Sequence, residues 1–180
     1  GAAQTVTDYW SDVGVRVTPR ERSSNLFRVE TDARLHDLNV WAGNGEFFPI
    51  LEPRMFVPSS SYSDWARGYA LWYLRGGLYD DPEAEETPGA MEPPEDSTYR
   101  RTMKVYDRTK AALTPEDQVE IFRENLLHAA ENLWTISISN SPPRIIPHLE
   151  TIRNIPDRAV YSWDFISPAN TGIETYYFEE

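Results

Sequence analysis

Residues 129–178 read AAENLWTISISNSPPRIIPHLETIRNIPDRAVYSWDFISPANTGIETYYF, and their reading decides the expected fold. A helix end runs into an alternating segment, with Trp134, Ile136 and Ile138 on one face and Thr135, Ser137 and Ser139 on the other, the period of a half-buried strand. A Pro-Pro turn follows, then a second extended segment that ends at Arg153-Asn154-Ile155-Pro156. The tail reads as a strand carrying Trp163 and Phe165, a turn over Ser167-Pro168-Ala169-Asn170-Thr171-Gly172, and a closing run of aromatics. Nothing in the stretch spells an acid/base pair, a nucleophile or a metal cluster.

Working outward, the upstream chain alternates helix and strand signals. Val6, Tyr9, Trp10 and Val13 recur at helical spacing over residues 5–12, with Gly14 placed to end that helix. Residues 13–18 (VGVRVT) alternate as a strand. Residues 24–35 form a short helix capped by Ser23 or Ser24. Residues 37–42 (DLNVWA) read as a second strand, ended by Gly43-Asn44-Gly45. Helix, strand, helix, strand in this order predicts a βαβ-like unit and an α/β fold.

Residues 47–62 are apolar and punctuated by proline, a long loop that must pack on something. Residues 64–74 (DWARGYALWYL) predict a helix dense in aromatics, stopped by Gly76-Gly77. Residues 80–96 hold four prolines and eight acidic residues with no base, so they read as a solvated linker. A helix over residues 98–113 puts Tyr99, Met103, Tyr106 and Leu113 on one stripe. The clearest helix start comes next, with Thr114 as N-cap, Pro115 at the first helical position, and Glu116 and Asp117 against the positive end of the dipole. Val119, Phe122, Leu126, Ala129 and Leu133 form its expected buried stripe.

Composition narrows the function classes. With 40% hydrophobic and 13% aromatic residues, 180 residues suffice for one packed core or one lobe of something larger. The net charge of −12 opposes binding to nucleic acid or an anionic membrane surface. No apolar run approaches the roughly 18 residues that span a bilayer, so no transmembrane segment is expected in this chain. Zero cysteines removes disulfides, thiolate–zinc sites and thiol catalysis, and fits an exported protein that avoids stray thiols. Gly1-Ala2-Ala3-Gln4 reads as the later half of a helix, with further chain expected upstream.

No residue pattern announces catalysis. His36, His128 and His148 share no ligand spacing, and Glu124 with His128 makes an i,i+4 pair rather than a metal motif. No cofactor is expected. The serine runs lack the Gly-x-Ser-x-Gly elbow of a hydrolase, and Gly43-Asn44-Gly45-Glu46 lacks the Lys-Ser/Thr of a phosphate loop. Carboxylates abound, but nothing marks the two that a glycosidase sets across a cleft. The aromatics are more informative. Trp41 leads into the Gly-Asn-Gly-Glu turn, at a predicted strand end where α/β ligand sites lie. Trp65, Tyr69, Trp72 and Tyr73 crowd one helix beyond what a narrow stripe buries, so they face either a cleft, a partner or a core beneath the proline loop.

Several segments, in order, resemble the C-terminal lobe of ABC-transporter extracellular solute-binding proteins of family 5, the oligopeptide-binding type. Asp8-Tyr9-Trp10-Ser11-Asp12-Val13-Gly14-Val15 resembles the helix-to-strand entry into that lobe. Asp37-Leu38-Asn39-Val40-Trp41 resembles the strand leading to its pocket. Trp72-Tyr73 with Gly76-Gly77, then Glu92-Pro93-Pro94, resemble successive family elements. Asn132-Leu133-Trp134-Thr135-Ile136 through Arg153-Asn154-Ile155-Pro156 resembles its terminal run. The resemblance implies a type II, Venus-flytrap lobe of the periplasmic-binding-protein kind, a mixed sheet flanked by helices. Residues 1–157 would form the ligand-binding lobe, and residues 158–180 a tail returning towards the hinge. It implies a non-enzymatic receptor outside the cytoplasm, in the periplasm or lipid-anchored at the cell surface, that passes an oligopeptide or oligosaccharide to ABC permease subunits.

In peptide-binding relatives an acidic residue just past the pocket strand pairs with the peptide amine, and Glu46 is the nearest counterpart. Gly43-Asn44-Gly45 departs from the Gly-Trp and Asp that many of them carry. In saccharide-binding members sugar rings stack on tryptophan, a use that suits Trp41, Trp65 and Trp72, with Asn44 and Glu46 on the hydroxyls. Trp41, Asn44, Glu46, Trp65 and Trp72 are therefore the expected ligand contacts. Two other classes stand beside this reading: a fragment of a carboxylate-based glycoside hydrolase, and a protein-interaction module docking through the aromatic helix.

Overall fold

Helix boundaries in this chain follow local chemistry closely. The computed structural model describes residues 1–41, 48–138, 143–162 and 164–179. Its helices are α1 (Ala2–Asp12), α2 (Ser24–Asp32), α3 (Arg67–Leu74), α4 (Glu83–Glu86), α5 (Thr98–Ala111) and α6 (Pro115–Asn132). The Thr114 hydroxyl accepts from the Asp117 backbone N–H at 3.1 Å, with Pro115 in the first turn, as the sequence predicts. Ser97 and Ser23 cap α5 and α2 in the same way. Gly14, at φ +85°, ends α1: its N–H bonds Ser11 and the Val15 N–H bonds Trp10, the paired bonds that satisfy the last carbonyls of a helix.

The expected α/β architecture is overturned: the chain is mostly helical, not a mixed sheet flanked by helices. Among the described residues the strands are β1 (Ile152–Arg153) and β2 (Tyr177–Phe178), paired antiparallel with Ile152 opposite Phe178 and Arg153 opposite Tyr177. Residues 13–18, 37–41 and 134–138 are turns, bends and irregular chain without a ladder, so the expected βαβ unit and the strand after α6 are absent there. The physical reason is the difference between pattern and pairing. Alternation says which face a strand would bury, but a strand also needs a neighbour to take its backbone N–H and C=O groups. Ile136 and Ile138 face solvent instead, as do Val13, Val15, Leu38 and Val40. The expected Trp163/Phe165 strand falls partly outside the described residues, and Phe165 lies in a turn.

The core lies where α3, α5 and α6 meet the proline-punctuated loop. Val57, Trp72, Tyr73, Ala84, Met103 and Phe122 form it, with Ile50, Phe56, Tyr69, Leu78 and Tyr106 packed around them. Helices α5 and α6, joined by residues 112–114, form an αα-hairpin. Phe122 is its centre, with edge-to-face contacts to Tyr106 at 6.2 Å and Phe56 at 6.4 Å. Burying a phenylalanine of this kind stabilises by about 1.5–3 kcal/mol, and each edge-to-face contact adds to it.

The predicted α6 stripe holds at Phe122 and Ala129 but not at Val119, Leu126 and Leu133, which are exposed. Leu113 falls beyond the end of α5 and is 96% exposed rather than on its inner stripe. The acidic segment is not a simple solvated linker. It contains α4, buries Ala84 and Pro93, and packs back against α3.

Candidate functional site

Two adjoining clefts lie between α2 and the start of α3. The larger, of about 260 Å³, is lined by Asp32, Arg34, Arg67, Gly68, Leu71, Pro88 and Gly89. The smaller, of about 190 Å³, is lined by Arg28, Thr31, Asp32, Ser61, Tyr62 and Arg67. Asp32 and Arg67 belong to both and form an ion pair between them. The two clefts thus make one trough, divided by that pair.

The sequence builds one wall of this trough from the second half of α2 and the turn that follows it. Arg28 and Asp32 are four residues apart, so helical spacing puts them on one face. Past the end of α2 the Leu35 N–H bonds the Glu30 carbonyl at 2.9 Å and the Arg34 N–H bonds Thr31 at 3.1 Å. That closure needs a left-handed residue, and Arg34 supplies it at φ +55° where glycine is usual. On the facing wall Arg67 opens α3 and also donates to the Ser61 carbonyl.

Trp41 adjoins Arg28, which lines the smaller cleft. Its indole is 43% exposed and stacks on Phe27 with ring centres 4.6 Å apart. The Arg28 guanidinium lies 5.7 Å from the Trp41 ring and 5.3 Å from the Tyr62 ring. The Asn39 side chain donates to the Asp64 carbonyl at 2.7 Å, tying the segment before Trp41 to the loop before α3. Burial raises the Asp64 carboxyl above the ordinary carboxylate range, and the cations Arg54, Arg28 and Arg67 with His36 oppose that rise.

The other expected contacts lie elsewhere. Trp65 donates its indole N–H to the Arg54 carbonyl at 2.8 Å and stacks on Trp134 at 4.8 Å. Tyr99 stacks on the same Trp134 at 5.3 Å, and Tyr69 leans on Tyr99 at 5.0 Å. This half-buried aromatic stack joins the start of α3, the start of α5 and the chain leaving α6. Trp72 is core: 4% exposed, with its ring against Gly77 and the Arg100 guanidinium 4.8 Å above it. Asn44 and Glu46 lie outside the described residues.

Sequence reading singled out Trp41 and Trp65 but missed Arg28, Asp32, Arg34, Tyr62, Arg67 and Trp134. The i,i+4 spacing of Arg28 and Asp32 was the available signal for one wall. Nothing local joins residues 28–34 to residues 61–68.

A second polar cluster joins α3 to α5. Tyr73 and Tyr79 each donate a hydroxyl to Asp107 at 2.6 Å, and the Lys110 ammonium lies 2.6 Å from Asp107 and 2.9 Å from the Tyr73 hydroxyl. Partial burial alone would raise the Asp107 carboxyl. The Lys110 bond and the two tyrosine hydroxyls outweigh it and bring the carboxyl below its ordinary range. Burial, then the Asp107 hydrogen bond, push the Tyr73 hydroxyl well above its ordinary value. Comparison of the chain with protein-family models, curated proteins and solved structures finds no match.

Proposed function

We propose that this chain belongs to an extracytoplasmic solute-capturing receptor that passes an oligopeptide or oligosaccharide to an ABC permease, without chemistry on the solute. The observation that carries the reading is the Trp41 platform: a partly exposed indole backed by Phe27 and next to Arg28, a residue that lines the smaller cleft. An apolar sugar face or a peptide side chain stacks on such a ring, while fixed polar groups orient the rest. The ordered sequence resemblance described above is what names the permease, and the reading keeps that partner without the mixed-sheet lobe, which the fold overturns. It rests on these surfaces and not on a two-lobed clamp.

The test is saturation-transfer NMR of the chain with trialanine, pentaalanine, cellotriose and maltotriose, with mass analysis of each solute after overnight incubation. Saturation transfer to one class, with the solute intact and the signal weakened by Trp41→Ala, supports capture. Cleavage of the solute replaces this reading with the hydrolase, and the absence of transfer to all of them overturns it. A second reading, docking onto a partner protein, draws on the apolar arm after α6, where Ile145 is 91% exposed beside exposed Ile146 and Leu149.

A further inference from the structure

We propose that the outward face of α6 is a docking surface for a basic amphipathic helix of a partner protein. This goes beyond solute capture, since α6 lines neither cleft of the trough.

Val119, Leu126 and Leu133 recur every seven residues, the spacing that keeps one edge of a helix turned towards a neighbouring helix. At a rise of about 1.5 Å per residue they span ~21 Å, a length of two heptads. In the fold α6 is turned so that Phe122, Asn125 and Ala129 lie inward, which leaves Val119, Leu126 and Leu133 outside together with Leu127. Burial alone would not select that orientation. Asn125 is fully buried, and neither its amide oxygen nor its amide nitrogen has a hydrogen-bond partner among the described residues. An unpartnered amide in a core is costly, whereas burying a leucine is favourable. Holding Leu126 out and its neighbour Asn125 in inverts the usual preference.

Leu133 repeats the conflict at the end of the helix. It closes α6 in the left-handed region at φ +51°, where glycine or asparagine is usual, and it is still 65% exposed. An apolar side chain is held there in a backbone conformation unfavourable to it, with little burial inside the chain in return. Such disagreements between local preference and fold collect at surfaces that are used.

Charge names the partner. Helical spacing sets Glu116 beside Val119, and Glu124 and Glu131 beside Leu127. Arg123, on the same face, lies 3.4 Å from Glu120, and Arg108 of α5 pairs with Glu124. Glu116 and Glu131 have no lysine or arginine partner among the described residues, Glu131 reaching only His128 at 4.0 Å. A second copy of the chain would bring this acidic border against an identical one, with −12 on each copy. A helix carrying apolar residues on one face and lysine or arginine beside them covers the stripe and answers the carboxylates.

The test uses the full chain and two blocked synthetic peptides as long as α6, 18 residues. Both carry leucine at the two core positions of each heptad, with alanine and lysine elsewhere in one and alanine and glutamate in the other. Binding is read by fluorescence anisotropy of the labelled peptides, and its place by amide shifts of the nitrogen-15-labelled chain. The expected result is binding of the lysine peptide, at least about tenfold weaker binding of the glutamate peptide, and shifts concentrated on α6. Leu126→Gln combined with Leu133→Asn removes two anchors without changing charge. Asparagine suits the left-handed end of α6, so the doubly substituted chain keeps a melting temperature near the parent's. It is expected to bind the lysine peptide about tenfold more weakly or worse.

No binding of the lysine peptide, equal binding of the two peptides, or shifts placed away from α6 overturns the proposal. Binding that survives the double substitution is charge attraction alone and overturns it too. A parent chain that dimerises in sedimentation, with a dimer that the double substitution dissolves, overturns it in favour of a second copy. The shift map of the parent chain locates the surface even where the substituted chain fails to fold.

Discussion

Replacing Gly77 with alanine strikes the core at its tightest approach. A Cβ built on Gly77 falls 2.1 Å from Trp72 Cε2, 2.3 Å from Cδ2 and 2.6 Å from Nε1. Carbon atoms settle at about 3.5–4.0 Å, so the indole must retreat by roughly 1.5 Å or the turn must open. The ring has little freedom to retreat, because the Arg100 guanidinium lies over it and it is packed with Val57, Tyr73 and Met103. Overpacking of this kind costs about 1–3 kcal/mol, and a rigid ring met by backbone puts Gly77→Ala at the upper end, ~3 kcal/mol. In a chain of this length 1 kcal/mol moves the melting temperature by about 2–4 °C, so a fall of roughly 6–12 °C is expected.

Urea unfolding followed by tryptophan fluorescence, with near-ultraviolet circular dichroism of the native state, reads both the loss and the displaced indole. Trp72→Leu in the Gly77→Ala background should restore part of the loss, because the smaller side chain vacates the clash. A Gly77→Ala protein with an unchanged urea midpoint and an unchanged near-ultraviolet spectrum would refute the packing of Trp72 on Gly77.

Two further outcomes follow from named contacts. Asp107 has its folded value below its unfolded one, so its contribution is present above pH ~4 and is lost as pH falls through the folded value; Tyr73 has its folded value above its unfolded one, so its contribution is intact below pH ~10 and is lost as pH rises beyond it. Asp107→Asn should lower stability at neutral pH and flatten the acid limb of a melting-temperature profile; a limb as steep as the parent's would contradict that assignment. Thr114→Ala removes the α6 cap and should cost about 1 kcal/mol by urea unfolding, with Thr114→Ser nearly neutral; equal loss in both variants would show that the hydroxyl is not the cap.

What was legible in the sequence was what is decided within one helical turn. Thr114 and Pro115 announce α6, Gly14 ends α1, and of the two serines expected to cap α2 it is Ser23 that does so, because a cap needs only partners a few residues away. The strands failed for the opposite reason. Residues 134–138 alternate well, but alternation carries no information about a hydrogen-bonding neighbour, and they find none among the described residues.

The site divides in the same way. Trp41 and Trp72 are equally prominent in sequence, yet Trp41 is partly exposed and Trp72 is core. The stacking of Trp65 on Trp134 and the meeting of Arg34 with Gly68 join segments far apart along the chain. Only tertiary packing brings them together. The left-handed Arg34 was hidden because glycine, not arginine, is the residue that signals such a position.

The most direct test of the central claim is the affinity of the best-bound solute for the parent chain and for Trp41→Ala, measured with mass analysis of the recovered solute. Solute capture on the Trp41 platform predicts intact solute and an affinity about tenfold weaker in the variant, the ~1.4 kcal/mol of one lost stacking face. Unchanged affinity in Trp41→Ala, or solute recovered in cleaved form, would contradict it.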